Sequence, residues 1–357
     1  MVADAVALAG LVPATLAGAG LFALTAAGLR PRRAQPRAPT HSFAVVVPAH
    51  NEEHTLPAAL ESLATLDYPP ELVRVCVVAD NCTDGTARVA RAFGADVIER
   101  TDPRRRGKGF ALAFAVPQVL AAKPDAVLVL DADCTLSADA LLALDALLAE
   151  GADAIQAAVR SANPDAGATG LVAAVGAAFD ATTAAGRDRF GLSAPLRGTG
   201  MAFRASVLVR VPWTTTGLAE DAEYGARLRE AGVRVRYCGE AEVTSAAPPT
   251  AEAMFAQRRR WRAAGLASSK PLALALVALA VTLGALGGFE VWASAVAALF
   301  AALYARALFA VGITRNRLKS LFGAPALVVR LALSAAAGPF RRGGPWVRTA
   351  RAGEELA

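Results

Sequence analysis

This chain has little charge for its length, and its few cysteines form no recognisable pattern. Only 19% of the 357 residues are charged, whereas 55% are hydrophobic and the mean hydropathy is +0.39. These values are unusual for a soluble protein and predict that part of the chain lies in lipid. The four cysteines have no CxxC pairing and no accompanying histidine cluster. We interpret them as structural residues of a reduced cytosolic domain, in preference to a disulfide or zinc framework.

Two common nucleotide-binding motifs are also absent. The sequence contains no GxxxxGK[ST], which argues against a P-loop nucleotidase, and no GxGxxG follows the first predicted strand to indicate a dinucleotide site. No internal repeat is present. The balance of 37 Lys and Arg against 31 Asp and Glu gives a net charge of +6, which is compatible with nucleic acid, anionic lipid or a phosphorylated substrate. Because basic residues flank the apolar runs, we predict membrane lipids and no nucleic acid as partners.

The apolar excess is concentrated at the two ends of the chain. Val6 to Leu29 carries no charge, is followed by RPRRAQPR, and has about the ~20 residues that cross a bilayer core. Since its basic residues follow the apolar run, we prefer an anchor to a cleaved signal peptide. Two further runs, Pro271 to Gly288 and Val291 to Gly312, are joined by GGFE and flanked by basic residues, which predicts a membrane hairpin. A last run, Leu321 to Phe340, is interrupted by Arg330 and is expected to lie in the interface.

These runs predict five regions and a multi-pass protein of the inner or plasma membrane. They are a transmembrane anchor (1–30), a basic Pro/Arg linker (31–41), a cytoplasmic domain (42–264), a transmembrane hairpin (265–314), and an interfacial amphipathic helix with a basic tail (315–357). The basic flanks place the domain on the cytoplasmic side. Within that domain, the apolar segments FAVVV, VRVCVVA, ADVIE and AVLVL alternate with amphipathic stretches. That order predicts an α/β, Rossmann-like fold of βαβ units with a parallel sheet.

Acidic residues follow three of the predicted strands. Ligands of such sheets bind outside the carboxyl ends of the strands, where Glu52, Asp80 and the pair Asp131 and Asp133 stand. Residues two apart in an extended strand point to the same face, so the pair would place two like charges side by side. A hard divalent cation such as Mg²⁺ resolves that repulsion and binds phosphate oxygens. Helix-capping aspartates in a loop are the alternative reading of the pair.

A basic segment strengthens the case for a phosphate ligand. RRRGKG places Lys108 at a glycine-flanked helix start, where an ammonium can meet a phosphate. Together with the acidic pair, this predicts a metal-bound diphosphate held by carboxylates.

An ordered series of segments resembles the family 2 glycosyltransferases of GT-A fold, especially the membrane-embedded cellulose and hyaluronan synthases. The series is VVVPAHNEE (45–53), VVADNCTDGTA (77–87), GKGFALA (107–113), LDADC (130–134), GTGMAFR (198–204), AEDAEYGARL (219–228) and QRRRW (257–261). It covers about two-thirds of the chain and includes the DxD, ED and QxxRW motifs. The resemblance implies a GT-A domain, a nucleotide-diphosphate sugar as donor, a UDP-sugar first of all, and Mg²⁺ or Mn²⁺ as cofactor.

The resemblance also implies roles for single residues. Pro48, Glu52 and Asp80 would hold the nucleotide, Asp133 the metal, and Asp131 both the metal and the nucleotide side. Asp221 would be the catalytic base. The acceptor and the diphosphate would lie against Gly198, Thr199, Glu220, Gln257, Arg260 and Trp261.

These roles are chemically sensible without the resemblance. A carboxylate that accepts the proton of a sugar hydroxyl accelerates transfer by about 10²–10⁴, and an ordinary pKa near ~4 would leave Asp221 ionised at neutral pH. We expect Glu220 and Glu223 to point about 100° and 200° away from Asp221 on a helix. An acidic first helical turn is the alternative reading of AEDAE, and a lipid-binding basic patch that of QRRRW.

The sequence therefore predicts an inverting glycosyltransferase that acts on a lipid-linked or growing glycan acceptor, in the synthesis of cell-surface polysaccharide or glycolipid. Two alternatives stay open. A sugar-phosphate nucleotidyltransferase would carry a Gly-rich loop after the first strand, where PAHNEE stands instead. A non-catalytic scaffold that binds nucleotide sugars would be indicated by loss of Asp133 or Asp221. Three spans cannot enclose a polysaccharide channel, so a membrane partner or an oligomer is a further expectation.

Overall fold

The computed structural model of the chain describes residues 2–33, 38–263 and 270–336, with side chains for 4–33, 38–258 and 276–333. Strands and helices follow in chain order: α1 (Val2–Gly28), β1 (Phe43–Ala49), α2 (Leu56–Ala64), β2 (Val73–Asp80), α3 (Thr86–Ala92), β3 (Asp96–Arg100), α4 (Lys108–Leu120), β4 (Ala126–Val129), β5 (Cys134–Leu136), α5 (Ala140–Ala149), β6 (Ala154–Ser161), α6 (Gly167–Arg189), β7 (Met201–Arg204), α7 (Ala205–Arg210), α8 (Glu220–Glu230), β8 (Val235–Ser245), α9 (Ala251–Ala263), α10 (Lys270–Leu286), α11 (Glu290–Val311) and α12 (Arg315–Ala336).

These elements group into two compact units. The sheet unit comprises Pro31–Arg160 and Arg187–Ala246, and the helical unit comprises Met1–Arg30, Ser161–Gly186 and Ala247–Ala357. Residues 161–186 and 247–264 belong to the helical unit although they lie inside the predicted range 42–264. The five predicted regions remain a prediction.

The sheet unit contains one eight-stranded mixed sheet in the order β3-β2-β1-β4-β7-β6-β8-β5. Four strands, β3, β2, β1 and β4, pair in parallel, as the βαβ pattern predicts. The other half differs from the predicted parallel sheet, because β7 runs antiparallel to both β4 and β6, and β5 runs antiparallel to β8. β7 has only four residues, so its sequence shows no periodicity from which a strand could be predicted.

The core of the sheet unit is closed. Phe43 and Val45 of β1 and Leu128 of β4 pack with Leu141 and Leu144 of α5, and each side chain is at most 1% exposed. Burying one such side chain stabilises a fold by about 1.5–3 kcal/mol. This packing fixes the parallel strands, and with them the edge of the sheet at which their carboxyl ends meet.

In the helical unit, α1 packs against α10 and α11 through small residues. A methyl group at Gly10 would lie 3.1 Å from the Ala280 Cβ, and one at Gly18 would lie 2.8 Å from the Leu299 Cδ2, so glycine permits the close approach. The stretch α6 joins these helices: its Phe179 ring stacks on Tyr304 of α11 at 5.1 Å between centroids. α6 therefore belongs with the terminal helices by its contacts as well as by its composition.

Three helices in the described part of the chain are long and apolar enough to cross a membrane: Asp4–Gly28, Gly167–Arg189 and Glu290–Val311. The first and third match the predicted anchor and the second arm of the predicted hairpin. The second, α6, was not predicted from the sequence. In α10, the first arm of the hairpin, the stretch Leu276–Leu286 is apolar but shorter.

Candidate functional site

The predicted acidic positions follow parallel strands that end at the same edge of the sheet. Ala49 at the end of β1 is in register with Ala79 of β2, and Val46 is in register with Val129 of β4. The turns after β1, β2 and β4 therefore begin side by side. This confirms the geometry on which the sequence-based prediction of a ligand edge depends.

The turns after β1 and β2 are fastened to each other by hydrogen bonds. His50 Nδ1 donates to the Asp80 backbone oxygen at 2.7 Å, and the Glu52 backbone N–H donates to Thr86 Oγ1 at 2.8 Å. Asn51, at φ 54°, accepts from the Thr83 N–H at 2.8 Å. The predicted nucleotide residue Glu52 is buried here. His50 thus has a structural contact, which fastens the two turns together.

Asp80 is held by a residue that the sequence did not indicate. Its Oδ1 accepts from Arg100 Nη1 at 2.5 Å, and both side chains are buried. Arg100 also donates to the Arg105 backbone oxygen at 2.8 Å and pairs with Asp102 at 3.1 Å. Arg100 thus fixes Asp80 and the start of the basic loop together. A single arginine at the end of β3 carries no sequence signal for this role.

Lys108 lies at the centre of a polar cluster at this edge of the sheet. Its Nζ donates to Asp131 Oδ1 at 2.5 Å and to the Gly198 backbone oxygen at 2.5 Å, and lies 3.8 Å from Glu220 Oε1. Asp221 adjoins the same cluster, since both side chains lie beside Gly198. A methyl group at Gly198 would be 3.4 Å from Lys108 Nζ and 3.6 Å from Asp221 Oδ2. The ammonium that the sequence predicted beside a phosphate therefore contacts the carboxylate of Asp131 and lies near that of Glu220. These countercharges stabilise the half-buried ammonium.

The pKa values of this cluster are shifted by burial and by mutual charge. Burial lowers the pKa of Lys108, but the carboxylates of Asp131 and Glu220 raise it more, so the net pKa is raised. Burial raises the pKa of Glu220 to about 7, against the attraction of Lys108. Burial also raises the pKa of Asp221 above its usual range, so the expectation of an ordinary pKa for this carboxyl is wrong. A carboxyl with a raised pKa is a stronger base when ionised.

The start of α8 presents its three acids in different directions. Glu220 is buried and faces Lys108, and Asp221 is half-buried beside Gly198. Glu223 is exposed and turns back to Gly217, whose Cβ would collide with its carboxylate. Glu223 therefore points away from Asp221, as expected from its position on the helix. Glu220, in contrast, lies in the same cluster as Asp221.

Gln156 of β6 holds the loop Arg197–Gly200 by hydrogen bonds. Gln156 Nε2 donates to the Thr199 backbone oxygen at 2.8 Å, and its Oε1 accepts from the Arg197 N–H at 2.8 Å. The Thr199 hydroxyl oxygen accepts from the Asp131 N–H at 3.1 Å. Gly198 and Thr199 therefore contact Lys108 and Asp131, as their grouping in one site predicts. Gln156 was not predicted; its signal is that it is the one amide in the apolar strand AIQAAV.

The remaining predicted residues are in other places. Pro48 lies in β1, half-buried, opposite Val78 of β2. Gln257 lies on α9, in the helical unit. Arg260 and Trp261 follow on the same helix, and their side chains lie outside the described residues. The roles of these four residues stay predictions.

A model of the glycosyltransferase-like family 2 matches residues 39–264, which is more than half of the chain. The chain belongs to this family. Its sheet is that of the GT-A glycosyltransferases, since the solved mannosyltransferase of Pyrobaculum calidifontis, in complex with GDP-Man and Mn²⁺, superposes with a TM-score of 0.60. The alignment covers 94% of this chain and 98% of that one, at 22% identity, so this likeness concerns the fold.

Two curated family 2 relatives match parts of the chain. A probable glycosyltransferase of Bacillus subtilis, YdaM, is 30% identical over 227 residues, which are 61% of this chain and 53% of that protein. The 4,4'-diaponeurosporenoate glycosyltransferase of Staphylococcus aureus is 37% identical over 112 residues, or 29% of this chain and 28% of that protein. The chain thus spans about half or less of the length of these relatives. The more specific likeness to cellulose and hyaluronan synthases remains a prediction.

The acidic pair of this family 2 glycosyltransferase has the donor set of a divalent cation site. Carboxylate oxygens of Asp131 and Asp133 and the thiol of Cys134 lie within 4.8 Å of one another. Burial raises the pKa of the Cys134 thiol well above its usual value, so the two carboxylates are the better ligands at neutral pH. Within this cluster the one ammonium of Lys108 faces the carboxyls of Asp131, Glu220 and Asp221. The excess of negative charge and the hard oxygen donors fit Mg²⁺ or Mn²⁺.

Proposed function

We propose that this chain transfers a sugar from a nucleotide-diphosphate sugar, a UDP-sugar first of all, to a lipid-linked or growing glycan acceptor. The observation that supports this best is the cluster in which Lys108 joins Asp131, the Gly198 carbonyl and Glu220, with Asp133 and Asp221 adjoining it. Such a transfer needs three groups within one cleft: a cation site, a positive charge that can contact the phosphates, and a candidate base. Fold membership alone would not carry this proposal.

The donor is proposed to bind along the edge formed by the turns after β1, β2 and β4. Pro48, Glu52 and Asp80 hold the nucleoside, with Asp80 oriented by Arg100. Asp131 and Asp133 hold a divalent cation, which when bound supplies positive charge to the leaving diphosphate. Lys108 turns from Asp131 to the diphosphate oxygens, so the same ammonium stabilises the carboxylates before binding and the phosphates after it.

The transfer step is proposed to be a single displacement. The acceptor hydroxyl oxygen forms a bond to the anomeric carbon while the bond from that carbon to the diphosphate oxygen breaks, and the configuration inverts. Asp221 takes the hydroxyl proton, and the diphosphate leaves with the electron pair of the broken bond. The raised pKa of Asp221 favours this proton transfer, which contributes about 10²–10⁴ in rate.

For the acceptor and the diphosphate we propose the residues that the family resemblance implies. Gly198, Thr199 and Glu220 belong to the sheet unit, and the QxxRW residues Gln257, Arg260 and Trp261 belong to α9.

We further propose that the protein is a multi-pass protein of the cell membrane with its sheet unit in the cytoplasm. The apolar helices α1, α6 and α11 support membrane association, and the basic segments beside them support the orientation. The stretch α12 is proposed to lie in the interface. Its exposed apolar residues Leu318, Phe322, Val329 and Leu333 recur on one helical face, and Arg315 and Lys319 accompany them.

The activity is tested by a nucleotide-release screen over a panel of nucleotide sugars, with the purified protein in lipid and Mg²⁺ or Mn²⁺. We expect one donor to give a nucleoside diphosphate, and Asp139→Ala, a change of an exposed aspartate, to behave as wild type. Release of pyrophosphate from a sugar phosphate and a nucleoside triphosphate would instead indicate a nucleotidyltransferase. Binding without release for every donor and acceptor would indicate a scaffold.

The topology is tested by labelling single cysteines in sealed vesicles. One is introduced near Gly288 and the other in an exposed loop of the sheet unit, in a Cys82→Ala background, since Cys82 is the half-buried native thiol and the other three are buried. We expect the two positions to label from opposite sides. Labelling of both from one side would contradict the proposed hairpin.

A further inference from the structure

Gln156 is a buried amide that belongs to no predicted motif. It lies in β6 with 1% of its side chain exposed, between apolar neighbours on a strand that pairs with β7. A buried amide without partners costs about 1–3 kcal/mol, so its contacts show what the fold has placed it to hold.

Both ends of this amide are bound to the loop Arg197–Gly200. The Oε1 atom accepts from the Arg197 N–H at 2.8 Å, and Nε2 donates to the Thr199 carbonyl at 2.8 Å. Nε2 also lies within 3.4 Å of the Gly200 oxygen and 3.0 Å of the Ala157 oxygen. One side chain thus closes the two ends of a short loop.

The loop has little stiffness of its own. Gly198 and Gly200 both adopt positive φ, at 82° and 64°, which is a region that glycine enters at no steric cost and also leaves easily. Its position is set by contacts: Gly200 fits against Val243 and Ala157, and the amide of Gln156 fixes the residues before it. Without that amide, several orientations of the Gly198 and Thr199 peptides become accessible.

Gly198 and Thr199 contact two residues that are proposed to bind the donor. The Gly198 carbonyl accepts from Lys108 Nζ, and the Thr199 hydroxyl oxygen accepts from the Asp131 N–H. We infer that Gln156 is a positioning residue for this site: through the loop it sets where Lys108 and the first carboxylate of the acidic pair stand. The inference rests on the proposed function, and Gln156 itself touches neither Lys108 nor Asp131 in the contacts described above.

The test compares Gln156→Met, Gln156→Glu and Tyr68→Phe. Methionine keeps the length and removes both kinds of hydrogen bond, whereas glutamate keeps the acceptor for the Arg197 N–H and loses the donor to Thr199. Tyr68→Phe is the matched control, because it removes a buried hydroxyl that donates to the His41 oxygen at 2.8 Å and to Asp145 at 2.9 Å, apart from the loop. A general loss of stability would affect all three variants alike.

The first readout is amide hydrogen exchange of the metal-free protein. In Gln156→Met we expect exchange at Arg197 and Asp131 to accelerate about tenfold relative to wild type. In Gln156→Glu the Arg197 amide should stay protected while the Asp131 amide accelerates. Tyr68→Phe should leave both at the wild-type rate.

The second readout is Mn²⁺ and donor binding followed by kinetics. We expect Gln156→Met to bind Mn²⁺ about tenfold more weakly by electron paramagnetic resonance titration, and kcat to fall about 10–100-fold, because a displacement of about 1 Å at a reacting group has that effect. Binding of the bare nucleoside should not change. A wild-type protein that binds no nucleotide sugar would overturn the proposed function. If wild type binds it but Gln156→Met matches Tyr68→Phe in exchange and in Mn²⁺ affinity, the inference about Gln156 alone is wrong.

Discussion

The two units of this chain use apolar residues in opposite ways. The sheet unit encloses them: Phe43, Leu128 and Leu144 are at most 1% exposed. The helical unit leaves large apolar side chains on its outer faces, including Phe309 at 67% and Phe322 at 90% exposure. An apolar surface of that kind is stable only against lipid or another protein, so the outer faces of the helical unit require a covering that the sheet unit does not.

The two units also differ in what their polar groups do. The sheet unit gathers charges at the ends of its strands, where Lys108, Asp131 and Glu220 lie within contact distance. In the described helices of the other unit, polar contacts such as Arg317 with Asp165 and Arg306 with Thr182 join one helix or loop to the next. Changes in the first set should therefore act mainly on the chemistry, whereas changes in the second should alter stability at constant chemistry.

The largest effect is expected from the acidic pair. Asp133→Ala removes one of two proposed cation ligands, so transfer should fall by about 10³ or more while the thermal unfolding of the protein is unchanged. Excess chelator should have the same effect on wild type. Asp139→Ala, six residues further along, is the control. Full activity of Asp133→Ala, or of wild type in chelator, would contradict the cation site.

The next largest effect is expected at the proposed base. Asp221→Asn keeps the size and hydrogen bonding of the side chain but cannot take a proton, so transfer should fall about 10²–10⁴-fold while donor binding survives. Since burial raises the pKa of Asp221, wild-type transfer should fall with decreasing pH earlier than an ordinary aspartate would require. Transfer and donor binding are measured across pH for both proteins.

Glu223→Gln is the control for that series, because Glu223 is exposed and turns away from the cluster. Glu220→Gln is the rival, since Glu220 lies 3.8 Å from Lys108. If Asp221→Asn transfers sugar normally and Glu220→Gln does not, the base has been assigned to the wrong acid.

A smaller effect, on stability, is expected from Glu220. Its folded-state pKa of about 7 exceeds the usual value of 4.5, so the folded protein holds this proton more tightly than the unfolded chain does. The free energy of unfolding should therefore decline as pH rises from about 4.5 to 7. Glu220→Gln should remove up to about 3 kcal/mol of that decline, measured by denaturation of the metal-free protein at pH 5 and 8. Parallel pH profiles of the two proteins would contradict it.

The smallest effect is expected in the helical unit. A methyl group at Gly186 of α6 would overlap the backbone of Leu24 in α1, whereas one at Gly176 of the same helix would meet nothing within 4 Å. Gly186→Ala should cost about 1–2 kcal/mol in unfolding free energy with unchanged kcat. Gly176→Ala should be neutral or slightly stabilising, because alanine favours the helix. Equal melting temperatures of the two variants would mean that α6 does not pack against α1.

Local patterns in the sequence predicted much of the fold. The strands β1 to β4 were predicted because each is a short apolar run before a polar turn. The helix α1 was predicted because it carries no charge from Val6 to Leu29, and α11 because its apolar run has basic flanks. The strand β7 and the place of α6 were missed. Four residues show no period, and the apolar stretch of α6 is interrupted by glycines and threonines that only its packing partners explain.

The residues of the candidate site could be predicted from the sequence, but the contacts between them could not. DxD and the glycine-flanked lysine are visible in the sequence, but Lys108 meets Asp131 from 23 positions away and Gly198 from 90. Such pairings depend on the order of strands in the sheet. Gln156 and Arg100 were missed for the same reason, since each acts on a loop that is distant in sequence.

The composition of the helical unit from three separate segments has a consequence for how the protein is made. α1 is synthesised first, yet its partners on α6 and α11 follow only after residues 161 and 290. Domains form during synthesis at about 5–20 residues per second, so α1 is complete seconds before its partners, and its glycine faces stay uncovered until then. A fragment limited to residues 42–264 would keep α6 but never supply Leu24 or Tyr304. We expect such a fragment to aggregate, and a chain that also contains α1 and α11 to be a single species in detergent.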